Sequence, residues 1–103
     1  MNENVQQLLE LIKENPNLPI VPMVDSEVVA HDYCAYWMGH WGTCEVSEYL
    51  IGEERVWFKD ADPEDVISDV KGYEFWENLP DEKVDAEFDA LGWIKCIAVY
   101  ITT

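Results

Sequence analysis

Hydrophobic positions along the chain change period several times, and each change marks an element. Val5, Leu8, Leu9 and Ile12 recur at i, i+3, i+4 and i+7, one apolar stripe on an amphipathic helix over residues 4–14. Asn15-Pro16-Asn17 ends it, because proline turns the residue before it away from helical geometry. Leu18 to Val24 is apolar and extended. Pro19 and Pro22 lack ladder donors, which places this run at a sheet edge or as a strap over the core.

From His31 to Lys59 the period becomes two. Tyr33, Ala35 and Trp37 alternate with Cys34, Tyr36 and Met38, as in a strand. Gly39 to Thr43 reads as a short turn, Thr43 to Ile51 as a second extended run, and Arg55 to Lys59 as a third beyond the Gly52-Glu53-Glu54 turn. The expectation is an antiparallel meander, carrying three of the five tryptophans.

The helical period then returns. Asp62 can cap a helix that opens with Pro63 and buries Val66, Ile67 and Val70, with Gly72 as its stop. Tyr73 to Leu79 fits neither period. Pro80 and Asp81 open another helix, with Val84, Phe88 and Leu91 on one side and Gly92 at its end. Trp93 to Ile101 is β-branched and aromatic, a buried last strand. The fold class is therefore α+β: one domain of 103 residues, residues 1–103. Its sheet is antiparallel, of four to five strands, with an N-terminal helix and two acidic helices before the last strand.

Composition adds one decisive fact. Asp and Glu number 22 against 6 Lys and Arg, a formal charge of −16. Solubility asks for far less, about 2–8 charges on a small domain, and self-repulsion opposes compaction. Nucleic acid and anionic membrane are disfavoured as direct partners, so neither is expected, and a cationic protein surface is favoured. With 49% hydrophobic residues the chain can still bury a core. No apolar run approaches the roughly 20 residues of a membrane span. The start, MNENVQQLLELIKEN, lacks the basic and apolar regions of a signal peptide. The expected location is the cytoplasm of a bacterial host cell. Three cysteines, with no CxxC, are expected to be reduced thiols.

The acids are concentrated. Residues 60–89 hold twelve of them against two lysines. Asp81, Asp85 and Asp89 repeat at i, i+4 and i+8, and Asp65 and Asp69 make another such pair; each like-charged pair costs about 0.2–0.5 kcal/mol in an isolated helix. A well-solvated surface accounts for some of this. A row of carboxylates that imitates phosphates accounts for the repetition as well. The residues expected to meet a basic groove are Asp62, Glu64, Asp65, Asp69, Glu82, Asp85 and Asp89. Glu45, Glu48, Glu53 and Glu54 extend them, and Trp41 and Trp57 serve as anchors, since tryptophan pairs well with arginine at interfaces.

Other chemistry is thinner. His31, Cys34, His40 and Cys44 are zinc-type ligands, but at a spacing no standard finger uses, and His31 and Cys34 would point to opposite faces of one strand. Asp60 to Lys71 resembles a calcium loop but lacks its glycine and has Lys71 where the last acid belongs, so no metal is expected there. There is no GxSxG, P-loop, dinucleotide fingerprint or HExxH, so no enzyme and no cofactor is expected. A Cys–His nucleophile from Cys34 or Cys44 with His31 or His40 stays as a formal alternative.

Across PNLPIVPMVDSEVV and YWMGHWGTCEVSEYLIGEERVWFKD the sequence resembles small acidic proteins of unassigned function from phages and mobile elements of Gram-positive bacteria. The likeness runs from about Pro16 onward and transfers no functional residue. In size and charge alone such proteins resemble anti-CRISPR inhibitors, which implies binding to a nuclease effector of the Cas9 kind. The alternatives are an interaction module of a mobile element, dimeric through a sheet edge or exposed aromatics, and a small structural zinc domain.

Overall fold

The computed structural model describes residues 2–28 and 36–103. The elements are α1 (Glu3–Glu14), β1 (Ile20–Val24), β2 (His40–Ile51), β3 (Val56–Phe58), α2 (Pro63–Lys71), α3 (Tyr73–Glu77), α4 (Val84–Asp89) and β4 (Ile94–Thr102). Short 3-10 turns occupy Ser26–Val28 and Asp81–Lys83. The strand order is β1-β4-β2-β3, and the class is α+β as the periodicity predicts. The contacts divide the chain into two compact units, Met1–Ser47 with Lys95–Thr103, and Glu48–Ile94.

In the first unit, Asn2 caps α1 by accepting from the Asn4 amide at 2.8 Å, and Asn15 closes it on the Leu11 carbonyl. Leu8, Leu11 and Ile12 pack against Cys44, Ile97 and Val99, while Leu9 turns outward. Four consecutive β4 residues, Cys96 to Val99, are buried, the signature of a strand covered on both faces.

Two expectations about the sheet are corrected here. β1 runs parallel to β4, in register from Ile20↔Ile97 to Val24↔Ile101, so the sheet is mixed. A parallel pair needs a long crossover, and everything from β2 to α4 lies between these two strands. Nor is Gly39 to Thr43 a turn, because β2 already begins at His40. Gly42 lies within the strand, and its place is held by glycine because a Cβ there would sit 2.6 Å from the Tyr100 carbonyl oxygen. Half of the strand expected before it, residues 33–35, lies outside the described residues, and its other half, Tyr36 to Met38, is not in a strand. What stands of the expected meander is the β2–β3 hairpin, paired from Tyr49↔Phe58 to Ile51↔Val56.

In the second unit, Leu50 and Trp57 from the hairpin meet Val66 and Ile67 of α2 and Phe88 of α4. Trp76, Leu79, Val84, Leu91 and Trp93 close over them. Phe88 and Trp93 meet edge-on with centroids 5.1 Å apart, and Trp93 Nε1 donates to the Phe88 carbonyl at 2.8 Å. The ambiguous YEFWE segment is the short helix α3, and α2 packs against both α3 and α4.

Candidate interaction surface

The acidic character gathers in the second unit. Glu48–Ile94 holds fifteen of the 22 acids and four of the six bases, a net −11. Twelve of those fifteen acids are exposed. The two ion pairs among the described residues share one cation: Lys59 Nζ lies 3.5 Å from Glu48 Oε2 and 3.7 Å from Asp89 Oδ1. Solvated pairs of this kind contribute about 0–1 kcal/mol, so most of the charge stands uncompensated.

Helix starts organise the first group. Asp62 Oδ1 accepts from the Glu64 amide at 3.0 Å, Pro63 fills the first helical position, and Glu64 and Asp65 are exposed in the positive first turn of α2. Asp65 and Asp69 fall about 40° apart around the axis, on one side.

Asp69 itself is engaged inward. Its Oδ2 accepts from Trp57 Nε1 at 2.6 Å and from the Glu53 amide at 3.2 Å. A Cβ on Gly52 would collide with that carboxylate and with the Trp57 indole, so glycine is what lets the hairpin turn close onto α2. Asp69 is thus a clip between hairpin and helix, half-buried and committed.

The Trp57 expectation is corrected by the same contacts. The ring is only 9% exposed and lies in the core, so it is no surface anchor. Its outer face carries the Arg55 guanidinium, 3.7 Å from the ring centroid. The arginine that this tryptophan was expected to seek on a partner comes from the hairpin turn just before its own strand, two residues away.

Glu82, Asp85 and Asp89 are exposed as expected, but they do not share one regular helix. Asp81–Lys83 is 3-10, with about 120° per residue, so only Asp85 and Asp89 keep the i, i+4 alignment. Glu53 and Glu54 are exposed at the hairpin tip, and Glu48 is half-buried beside Lys59. Trp41 and Glu45 belong to the first unit, the other eleven residues to the second. Trp41 is 54% exposed; its carbonyl accepts from Asn4 Nδ2 at 3.0 Å. Glu45 accepts from the Tyr100 hydroxyl at 2.7 Å.

Comparison with protein-family models, curated proteins and solved structures returned no match.

The zinc expectation fares poorly on what can be placed. His31 and Cys34 lie outside the described residues. His40 and Cys44 both stand on β2, about 13 Å apart along an extended strand, too far to share an ion. No group of three metal-type ligands occurs among the described residues. Cys44 and Cys96 are buried free thiols, and burial pushes both above their ordinary pKa, away from the thiolate a nucleophile needs. Among the described residues no helix is long and apolar enough to cross a membrane.

Charge-led reasoning missed the exposed apolar side chains. Ile51 is 75% exposed, Tyr73 62% and Val56 38%. The signal for two of them was present: Ile51 and Val56 flank the hairpin turn, each out of phase with a neighbour that the core claims, Leu50 or Trp57.

Proposed function

We propose that this chain is a non-enzymatic acidic inhibitor, a nucleic-acid mimic that occupies the basic nucleic-acid groove of a nuclease, with a CRISPR effector of the Cas9 kind as the target to test. The observation that carries this is the exposed, scarcely paired charge of the second unit, net −11 over Glu48–Ile94. At the start of α2, Asp62, Glu64 and Asp65 present three exposed carboxylates within about 5 Å of axis at 1.5 Å per residue, while Asp69 stays bonded to Trp57 and Glu53. Lysines and arginines that hold a nucleic-acid backbone respond to such an array without regard to base sequence. Glu82, Asp85 and Asp89 add a second short segment, and Trp41 is the one exposed tryptophan of the two expected anchors. Such an inhibitor acts in the cell where the nuclease acts, as befits a phage or mobile-element product in its bacterial host.

The experiment is target-DNA cleavage by a purified Cas9-type nuclease, titrated with this protein at rising salt. Inhibition should weaken steeply between 50 and roughly 300 mM salt, as the Debye length falls below about 10 Å, and nuclease already loaded with DNA should resist it. Cleavage that is untouched at low salt, or inhibition indifferent to salt and to bound DNA, would reject the mimic. The competing idea is a self-associating interaction module, favoured by the exposed Ile51 and Tyr73. It requires sedimentation as a dimer whatever the ionic strength.

A further inference from the structure

The outer side of the β2–β3 hairpin has no part in a purely electrostatic encounter. Leu50 faces Trp57 across the pair and both enter the core. Alternation therefore turns Ile51 and its direct partner Val56 to the opposite side. They are 75% and 38% exposed. An isoleucine placed directly across from a valine is a contiguous aliphatic knob, which differs from an apolar residue scattered on a surface. Glu53 and Glu54 form the exposed tip next to it. The one cation of the tip, Arg55, is drawn over the Trp57 ring on the other side. The knob is therefore bordered by bare negative charge.

That border selects the occupant. A second copy of the chain would bring the same negative sign against it, and an anionic lipid surface would be repelled too. We propose that the Ile51–Val56 knob docks a basic protein segment that presents an aliphatic side chain between arginines or lysines. This rests on the mimic reading and deepens it: the segment borders the groove that the acids fill. The acids supply long-range, salt-sensitive attraction to any cationic groove. The knob supplies a short-range apolar contact that salt does not screen, and so decides which cationic groove is held.

Two synthetic eleven-residue peptides test this with the full chain, one alternating arginine and valine, the other arginine and serine. Affinities are measured by fluorescence anisotropy at two salt concentrations. The valine peptide should bind about fivefold more tightly, the gain from covering one aliphatic pair. The preference should vanish in Ile51→Ser and return in Ile51→Val, with the salt dependence of both peptides unchanged. Because Ile51 is so exposed, these substitutions leave the core alone, and circular dichroism checks that they do. Equal binding of the two peptides, a preference that persists in Ile51→Ser, or no binding of either peptide would each overturn the proposal. A valine preference in a protein that leaves Cas9-type nucleases unaffected would instead remove the mimic and keep the docking site.

Discussion

Asp69 and Asp85 look alike in sequence, each an acid on an acidic helix, yet Asp69 is bonded inward and Asp85 is exposed. Replacing Asp69 by alanine removes the acceptor of Trp57 Nε1 at 2.6 Å and of the Glu53 amide at 3.2 Å. A hydrogen bond to a charged group contributes about 1.5–3 kcal/mol, and the half-buried setting of Asp69 argues for the low end. Alanine gains about 0.5 kcal/mol of helix propensity, and removing the Asp65–Asp69 repulsion gains about 0.2–0.5 kcal/mol. Counting the part-buried indole bond alone, because the Glu53 amide bond is exposed to water and adds little, the balance is a loss of about 1 kcal/mol. With a urea m-value of about 1–3 kcal/mol/M, the midpoint should fall by roughly 0.3–1 M. Asp85→Ala, which breaks no hydrogen bond seen among the described residues, should leave the midpoint unchanged or raise it. Tryptophan fluorescence in urea follows both, with the wild type alongside. If Asp69→Ala proves as stable as the wild type, the carboxylate is one more solvated charge and the clip is refuted.

Other outcomes follow from the same geometry. Gly52→Ala forces a methyl group onto the Asp69 carboxylate and the Trp57 indole, and should cost about 1–3 kcal/mol, read as a lowered melting temperature. Reversing Asp85 and Asp89 together to lysine should weaken nuclease inhibition while the far-ultraviolet circular dichroism stays native; full inhibition by that variant would remove those two residues from the interface. Burial raises the Cys44 and Cys96 thiols in the folded state, so the unfolded chain alone releases these protons as pH rises past about 9.0. Stability should therefore be intact below that pH and decline above it, and replacing both cysteines by alanine should flatten that alkaline limb in urea titrations.

Local signals in the sequence located most elements. The α1 stripe, the Asp62-Pro63 start and the β-branched run of β4 each depend on neighbours within a few residues, and each is where periodicity predicts. Strand direction is another matter. Nothing in IVPMV states that its partner is the last strand or that the two run parallel, because that pairing is decided by the path of everything between. Gly42 misled for a similar reason: glycine signals a turn when read locally, whereas here it makes room for the Tyr100 backbone. At the candidate surface, a count of charges found the acidic stretch but could not separate Asp69, which holds the indole, from Asp65, which faces water. The Arg55–Trp57 contact joins the hairpin turn to the strand two residues on, a spacing that charge counting passes over.

The parallel pairing of β1 with β4 has a consequence during synthesis. The ribosome delivers β1 early, yet its neighbour in the sheet emerges only with Ile94–Thr102. At about 5–20 residues per second, IVPMV waits several seconds with its edges bare, while the contacts of Glu48–Ile94 can already close behind it. A five-residue apolar strand left open that long invites pairing with other nascent chains. Pro22, at its centre, lacks a donor on the outer edge, the one β4 does not cover, so a foreign strand finds that edge poor in partners before and after β4 arrives.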